Sequence, residues 1–558
     1  MLPVYNHWNQ AFIIKVPALN IDILEKSIKI LAEHHDAFRL SYSKDSEGVY
    51  NQYYNTSVSA VHFSTLNINE LQDPNDLEAI FNRWQSDFDI FSGGTFHFAY
   101  IDGFEDKNAR IHFCAHHLLL DAVSWRIIKD DLQTIYSHLS NDGPVSENPS
   151  EILGKKGTSY RQWADTIKLY KENSDPEEAT YWNSIINRMN VYNDRLDAIK
   201  EVEPHTLLKK LDEENTEILL HGAHHAYNTV PNDILVAALS DALKGITGTS
   251  ENYITLEGHG REDIAEGIDI TSTVGWFTSM YPVKLSSESV SSIEQLVIDT
   301  KDMLRHIPHN GVGFGALYGY TRETLPEIGF NYLGQFDTNS KESWQFVREN
   351  HGKTIADTNE DANLISINCG IINRELHISV AGKVSSSVLE QFTEHYLRSI
   401  KLIIKSLHNK KSAKLTSSDI DFIISNDSLN RLQNLEGIEG IYLANSLQQG
   451  FIYHAISQGD KDDAYRTQML WDYYNPLNQE ALQQAWELAQ QQYPSLRLRF
   501  NWDDELIQII DRKGSLDYRY IDISDKDQQE QKHLFAEILK KDRNEAYDLS
   551  KGSLFRII

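Results

Sequence analysis

Two stretches of the chain repeat one another at a constant offset, and this repeat limits the fold more than any other feature. Residues 19–42 (LNIDILEKSIKILAEHHDAFRLSY) match residues 477–500 (LNQEALQQAWELAQQQYPSLRLRF). In each copy apolar residues recur every three or four positions, as on one face of a helix, and then alternate, as in a strand. The period is far too long for a solenoid, so we expect two homologous large domains in tandem.

A second pair of matching segments shows how much of each copy is present. Residues 88–98 (FDIFSGGTFHF) match residues 547–557 (YDLSKGSLFRI) with one gap. Gly94 precedes His116 by 22 residues, whereas the matching Gly552 is followed by only six. We therefore expect the second copy to end before its counterpart of His116 and His117.

The segments between the repeats mix strand and helix patterns, which indicates the α/β class. Alternation predicts strands around residues 111–115 and 253–257, and helical spacing predicts amphipathic helices over 122–136, 213–226 and 233–244. Residues 411–440 begin with a polar stretch of little apolar periodicity and are predicted to be a linker. The second domain is then expected over 441–558.

Composition excludes several classes of function. The 558 residues carry 81 acidic and 52 basic side chains, a net charge of −29, which disfavours general binding to nucleic acid or anionic membranes. No apolar run approaches the roughly 18 residues of a membrane span, and the first ten residues do not resemble a signal peptide. Two cysteines are too few for a disulfide framework or a thiolate zinc site. A chain without a disulfide framework fits a reducing compartment such as the cytoplasm. No metal site is predicted, although His221, His224 and His225 have helix-compatible spacing.

The segment HHLLLDAVSWRIIKDDL at 116–132 is the strongest candidate site. It follows the strand IHFCA, and alternation along a strand sends adjacent histidines to opposite faces. We expect His117 to reach a cleft and His116 to pack inside. Asp121 stands where a helix begins, so the alternative interpretation is a core histidine followed by an N-cap aspartate.

A second candidate is NYITLEGHGRED at 252–263. Glu257 ends the predicted strand beside the two glycines of EGHG, where small residues such as Gly258 let a ligand approach closely. A carboxylate in this position can serve as a general base, and a solvated turn acid is the alternative. Arg261 is expected to form an ion pair with Glu262 or to begin a helix.

Two further segments contain candidate residues. Residues 271–283 (TSTVGWFTSMYPV) resemble a core strand when taken alone. Residues 328–337 (IGFNYLGQFD) place Asn331 and Tyr332 before a glycine turn. Tyr332 could donate a proton, and a hydrogen-bonded core tyrosine is the alternative. No G-x-S-x-G elbow is present, so Ser124 is not predicted to be a nucleophile.

Taken together these motifs resemble a known family. HHLLLDAVSW at 116–125 resembles the H-H-x-x-x-D core of the condensation superfamily of non-ribosomal peptide synthetases, and its trailing Ser124-Trp125 is typical of the epimerization domains. EGHGRED, TVGWFTSMYPV and FNYLGQFD resemble three further epimerization motifs in the same order. ANSLQQGFIYHAI at 444–456 resembles the opening of a condensation domain. The chain departs from the pattern at Ala122, which is usually Gly, and at Ser272, which is often Arg, and it lacks the opening motif of the first domain.

The resemblance implies a fold and a reaction. The fold is two chloramphenicol-acetyltransferase-like lobes with mixed sheets, here residues 1–205 and 206–410. The reaction is L to D epimerization at the Cα of an aminoacyl or peptidyl thioester. Its implied catalytic residues are His117, Glu257 and Tyr332. Its implied structural residues are His116, Asp121, Ser124, Trp125 and Arg261, with Asn331, Trp276 and Gly258 as candidates for lining the substrate tunnel.

The resemblance also implies partners. The substrate is carried on the phosphopantetheine arm of a peptidyl carrier domain, so no cofactor is expected in this domain itself. Neighbouring condensation and adenylation domains are expected partners, and the fragment is expected to be monomeric. Two alternatives stay open: peptide-bond formation at the same histidine, and a non-catalytic scaffold on which carrier domains dock.

Overall fold

The computed structural model describes residues 3–58, 61–73, 76–141, 146–201, 203–287, 292–336, 343–435, 437–458 and 464–558. The first nine elements are β1 (Asn9–Val16), α1 (Ile21–His34), β2 (Leu40–Lys44), β3 (Tyr50–Tyr54), β4 (Phe63–Asn67), α2 (Asp76–Ser86), β5 (Phe96–Asp102), β6 (Ala109–His116) and α3 (Ala122–Leu139).

The middle of the chain contains α4 (Pro149–Ile152), α5 (Tyr160–Glu172), α6 (Pro176–Leu196), β7 (His205–Leu211), α7 (Glu213–Glu217), α8 (Pro231–Thr247), β8 (Glu251–Gly258), β9 (Ser279–Ser286), α9 (Ile293–Arg305), α10 (Phe314–Tyr318) and β10 (Ile328–Gln335). The last elements are β11 (Gln345–Val347), β12 (Ile365–Ile372), β13 (Glu375–Gly382), α11 (Ser386–His408), α12 (Asn426–Leu435), β14 (Ile438–Leu443), α13 (Ser446–Gln458), α14 (Gln479–Gln492), β15 (Leu498–Asn501), β16 (Ile507–Asp511), β17 (Asp517–Tyr518), α15 (Gln528–Asn544) and β18 (Arg556–Ile557).

The chain divides into two compact units. The first contains Met1–Leu219, Leu235–Ser291 and Ile307–Ile403, and the second contains Leu220–Ile234, Ser292–His306 and Ile404–Ile558. The first unit holds two mixed sheets, which agrees with the α/β class expected from the sequence. No helix within the described ranges is long and apolar enough to cross a membrane.

The first sheet has the strand order β11-β1-β6-β5-β4, with β6 at its centre. β6 pairs antiparallel with β1 and with β5, and all eight of its residues are buried. One face of β6 (Ile111, Phe113, Ala115) belongs to the large core that also contains apolar residues of α1 and α3. β6 is buried along its whole length, so it holds the histidine pair at its end in a fixed position.

The second sheet has the order β7-β13-β12-β10-β8-β9. β10 pairs in parallel with both β8 and β12, so the carboxyl ends of these three strands lie at one edge of the sheet. The sequence places Glu257 near that end of β8 and Asn331 in β10. The register continues from the pair Phe330–Leu256, which brings these two residues side by side.

The repeat is confirmed at the level of elements. α1 and α14 each begin after an asparagine N-cap, Asn20 and Asn478, whose side chain accepts a hydrogen bond from a backbone N–H of the first turn. Each helix is followed by a 3₁₀ turn and then a strand, β2 in the first copy and β15 in the second.

Two predictions of local structure need correction. Residues 271–278 are not a strand, because buried side chains bind their backbone N–H groups and β9 begins only at Ser279. The helix predicted over 213–226 is broken into α7, a π-helical turn at Ile218–Gly222 and a 3₁₀ turn.

The predicted linker contains regular structure. It contains α12 and the start of β14, and its apolar side chains form one cluster with two residues of β16. The members of this cluster are Leu415, Ile420, Ile424, Leu429, Ile438, Ile441, Ile507 and Ile509. The segment is therefore part of the core of the second unit.

Candidate active site

The two adjacent histidines have different environments, as the sequence leads us to expect. His116 is only 3% exposed, and its Nε2 lies 2.8 Å from the backbone oxygen of Tyr5. His116 Nδ1 accepts a hydrogen bond from the Leu118 backbone N–H at 3.2 Å. Both of its ring nitrogens are thus used inside the fold. β6 ends at His116, and His117 begins a 3₁₀ turn that directs its side chain elsewhere.

His117 contacts two residues from distant segments, Trp276 and Gln10. Its ring centroid lies 4.3 Å from that of Trp276, and its Nε2 lies 2.9 Å from Nε2 of Gln10 in β1. Trp125 in α3 donates its indole N–H to Gln10 Oε1 at 2.6 Å. An indole can only donate, so the Gln10 oxygen must face Trp125 and the Gln10 NH₂ must face His117.

This arrangement determines the protonation state of His117. Because the Gln10 NH₂ donates, His117 Nε2 must accept, and the imidazole is neutral with its proton on Nδ1. Burial lowers the pKa of the His117 imidazole, while its own backbone, the Asp121 charge and the Leu120 backbone act in the opposite direction. The contacts and the burial therefore both favour a neutral ring.

Glu257 lies at the end of β8, half-buried, beside Asn331. Asn331 donates its side-chain N–H to Glu257 Oε2 at 2.7 Å. Burial raises the pKa of the Glu257 carboxyl to about 7, and the negative charge of Asp361 adds to the shift. A carboxyl group with this pKa is partly ionised at neutral pH, so it can both accept and donate a proton.

The turn after Glu257 depends on its glycines. Gly260 has φ +65°, and a Cβ added to it would lie 1.7 Å from the backbone oxygen of Phe277. A Cβ on Gly258 would lie 3.1 Å from Ser279 Oγ and 3.4 Å from the Tyr281 ring. The close approach of residues 277–279 to this turn therefore requires glycine at 260.

A buried ion pair connects the two motifs. Asp121 caps α3, with its Oδ1 accepting from the Ser124 backbone N–H at 2.9 Å, and it binds Arg261 Nη2 at 3.0 Å. The Arg261 guanidinium also lies 4.0 Å from the Phe277 ring centre. Asp121 is thus the N-cap of α3 and also forms an ion pair. Arg261 pairs with Asp121, whereas Glu262 accepts from Asn310 and lies 3.4 Å from His259.

Ser124 and Asp121 also fix the loop that carries Trp276. Ser124 Oγ accepts from the Gly275 backbone N–H at 3.2 Å and lies 3.0 Å from the Gly275 oxygen. Asp121 Oδ2 accepts from the Phe277 backbone N–H at 3.0 Å. Trp276 lies between these two anchored residues, which holds its ring against His117. Ser124 thus has a structural role, because its hydroxyl holds the backbone of Gly275.

Tyr332 does not share the face of Asn331. Tyr332 pairs in register with Cys369, whose sulfur lies 3.9 Å from the Tyr396 hydroxyl of α11. Burial raises the pKa of the Tyr332 hydroxyl to about 12, with contributions from Cys369 and, in the opposite direction, Arg126. The register therefore does not bring Tyr332 to Glu257, and a catalytic role for it stays a prediction without geometric support.

Several other histidines contact aromatic rings or backbone oxygens of the fold. His97, His112 and Cys114 are buried, with one possible ligand atom from each within 4.8 Å of the others. The two imidazole rings stack on aromatic side chains of α2, His97 on Trp84 at 4.5 Å and His112 on Phe81 at 4.3 Å. His225, one of the three helically spaced histidines, lies 2.8 Å from the Gly222 oxygen and 2.9 Å from the Lys410 oxygen. We assign neither group to the site.

The sequence motifs do not include Gln10, although the sequence contains a signal for it. At the offset of the repeat, Gln10 matches Gln468, nine residues before the matched segments begin at Leu19 and Leu477. Extending the repeat backwards would have singled out this glutamine in both copies.

Comparisons with known proteins identify the family. The family model for the condensation domain matches residues 1–421 and again 438–558. One of the linear gramicidin synthase proteins of Brevibacillus parabrevis is 31% identical over 593 residues, which cover 99% of this chain and 7% of that synthase protein. Bacitracin synthase 3 from Bacillus licheniformis is 30% identical over 577 residues, which cover 99% of this chain and 9% of the synthase. The chain thus spans less than a tenth of the length of these two relatives.

Solved structures agree with the family match. The epimerization domain from the third module of tyrocidine synthetase B superposes with a TM-score of 0.60 and 28% identity, covering 72% of this chain and 92% of that domain. The condensation domain of the monacolin K polyketide synthase has a TM-score of 0.57 at 16% identity, with 72% and 93% coverage, and shows the fold alone. The chain belongs to the condensation-domain family, with the two-lobed chloramphenicol-acetyltransferase-like fold.

Proposed function

We propose that the first copy epimerizes the Cα of a carrier-bound aminoacyl or peptidyl thioester from L to D. The observation that carries this proposal is the Glu257 carboxyl, half-buried at a strand end, with a pKa raised to about 7. Such a group suits reversible proton transfer near neutral pH better than a solvated turn acid, whose pKa would stay near 4.

The chemistry needs a base and an acid on opposite sides of one carbon. The base removes the α-proton, and the electron pair of the broken C–H bond moves into the thioester carbonyl to form an enolate. A proton then adds to the other face, and the carbonyl is restored. The composition of the substrate is unchanged, the α-proton is replaced by one from the second residue, and the configuration at Cα is inverted.

Glu257 and His117 suit the two positions because they come from different sheets. Glu257 ends β8 of the second sheet, and His117 follows β6 of the first. In our proposal one of them removes the proton and the other returns it from the opposite face. The reverse reaction exchanges their roles.

Gln10 and Trp125 prepare His117 for this task. The donor from Gln10 occupies Nε2 and keeps the imidazole neutral, so His117 accepts a substrate proton only when this hydrogen bond breaks. When His117 is protonated, two donors face one another, so the imidazolium is a strong acid toward the enolate. Trp125 is thus a positioning residue that acts through Gln10.

The similarity to the tyrocidine synthetase epimerization domain supports this proposal over peptide-bond formation, since that domain is 28% identical over 92% of its length. The Trp125–Gln10–His117 contacts and the raised pKa of Glu257 support it over a non-catalytic docking scaffold, which requires neither.

Partners follow from the proposed substrate. We propose that the substrate arrives on the phosphopantetheine arm of a carrier domain of the same synthetase, beside condensation and adenylation domains, in the cytoplasm. No cofactor of the domain itself is proposed, because proton transfer by Glu257 and His117 needs none.

One incubation separates the three candidate functions. The full chain is mixed with a carrier domain loaded with an L-peptidyl thioester, in D₂O, together with a second carrier domain loaded with an aminoacyl acceptor. Epimerization gives D product with deuterium at Cα, condensation gives a longer peptide, and a scaffold gives neither. A longer peptide without α-deuterium would overturn the proposal.

A further inference from the structure

An apolar cavity of about 260 Å³ lies within the first unit. Its walls are mostly aromatic and aliphatic and come from both sheets and from α3. The two cations among the wall residues, Lys209 and Arg348, already contact Glu394 and His377. The main wall residues are Phe12, Trp125, Leu333, Phe336, Phe346 and Ile378. Of these six, only Trp125 is among the candidate site residues, and no role follows for the space itself from the sequence motifs.

Neither proposed proton-transfer residue lines the cavity, but one wall residue on each side neighbours the residue that holds His117 or Glu257. On one side its wall residue Trp125 donates to Gln10, which contacts His117. On the other side its wall residue Asn368 is the register partner of Asn331, which donates to Glu257. The cavity therefore lies beside the residues that position both His117 and Glu257.

The size and polarity of the cavity limit what can occupy it. Pockets for whole small molecules begin at roughly 300 Å³, so this one suits a single side chain. A peptide group placed against these apolar walls would lose hydrogen bonds to water without replacing them, and a charged side chain would lose more. Burial of an apolar side chain is favourable.

We propose that this cavity binds the side chain of the residue being epimerized, and that the preferred substrate has a bulky apolar side chain. The inference rests on the proposed function, because it takes Cα to lie between His117 and Glu257. It adds the chemical class of the substrate to that proposal.

The test compares three substrates on the wild-type full chain. A carrier domain is loaded with L-phenylalanyl, L-alanyl or L-aspartyl phosphopantetheine, and uptake of deuterium at Cα is measured as kcat/KM. Burying a phenylalanine side chain predicts a preference over alanine of roughly tenfold to a hundredfold. The aspartyl substrate should be slower than the alanyl substrate.

Gly370 allows the cavity to be filled without backbone strain. A Cβ at this position would lie 3.4 Å from Phe336 Cε2 and 3.7 Å from Leu333 Cβ, which are ordinary contacts with two wall residues. Gly370→Leu should therefore lower the ratio of phenylalanyl to alanyl exchange toward one, and Gly370→Ala should lower it less. Gly450→Leu is the matched control, since a Cβ there meets nothing within 4 Å, and it should leave the ratio unchanged.

The outcomes separate this inference from the proposed function. Equal rates for the phenylalanyl and alanyl thioesters, or a ratio unaffected in both folded Gly370 variants, would overturn the cavity assignment while leaving epimerization intact. A faster aspartyl thioester would also overturn it. No deuterium uptake from any of the three, or from dipeptidyl thioesters that end in the same residues, with normal thermal unfolding, would instead overturn the proposed function and the inference with it.

Discussion

Arg261 donates to the Asp121 carboxylate at 3.0 Å, and each of these two residues lies four positions after a proposed proton-transfer residue, Glu257 or His117. The pair ties the start of α3 to the loop after β8. It therefore fixes the distance between the two motifs, although neither of its members needs to touch the substrate.

Breaking this pair should cost stability. The side chains of Arg261 and Asp121 are 7% and 3% exposed, so Arg261→Gln leaves a buried carboxylate without its cation. We expect a loss of about 3–5 kcal/mol in the free energy of unfolding, measured by urea denaturation. The exposed pair Lys353–Asp357 is the control, and Lys353→Gln should cost less than about 1 kcal/mol. Similar costs for both variants would contradict the structural role of the pair.

The glycine turn after Glu257 offers a matched comparison. Gly260→Ala places a Cβ 1.7 Å from the Phe277 oxygen and should displace the loop that holds Trp276. Gly267 has a similar positive φ, +78°, but a Cβ there meets nothing within 4 Å. Gly267→Ala should therefore show only the cost of the backbone conformation. If epimerization rates fall equally in the two variants, close approach at Gly260 is not what the site requires.

Replacing the Gln10 amide by a carboxylate should reverse its effect on His117. In Gln10→Glu the carboxylate can accept from both Trp125 and a protonated imidazole, so the pKa of His117 should rise. The imidazole titration is followed by NMR of ¹³C-labelled histidine, with His117→Asn used to assign the signal. Gln10→Met removes the donor without adding a charge and should raise the pKa less. An unchanged pKa in Gln10→Glu would show that Gln10 does not set the protonation state.

The raised pKa of Glu257 predicts a pH-dependent gain in stability for Glu257→Gln. Its folded pKa of about 7 exceeds the unfolded value of about 4.5, so wild-type stability falls as pH rises between these values and then stays level. The Gln side chain carries no charge and can still accept from Asn331. At pH 8 the variant should be more stable by up to about 3 kcal/mol, and at pH 4 the difference should vanish. Thermal unfolding at the two pH values measures this, and a gain that is equal at both would refute the shift.

Much of the site follows from local sequence rules. The sequence predicts different environments for His116 and His117, although the 3₁₀ turn that begins at His117 provides them and strand alternation does not. The residue type and position of Asp121 predict a helix cap. The same alternation rule separates Asn331 from Tyr332, so applying it there would have kept Tyr332 off the face of Glu257.

The remaining features depend on contacts between distant segments. Gln10, Trp125 and His117 lie on β1, α3 and the turn after β6, and no local pattern predicts their hydrogen bonds. Residues 271–278 have the composition of a strand, but the side chains of Asp121 and Ser124 bind their backbone instead. The predicted linker begins with polar residues, so the packing of its later apolar residues against β16 is not predicted from the sequence.

The most direct test of proton transfer by Glu257 and His117 follows α-proton exchange from each enantiomer separately. Wild type, Glu257→Gln and His117→Ala are incubated in D₂O with carrier-bound L- and D-phenylalanyl thioesters. Both variants should invert configuration roughly 10²–10⁴-fold more slowly than wild type. Each should lose exchange from one enantiomer while retaining it from the other, and the two variants should lose opposite enantiomers. Wild-type exchange from both enantiomers in either variant, or loss of the same enantiomer in both, would contradict proton transfer by these two residues on opposite faces.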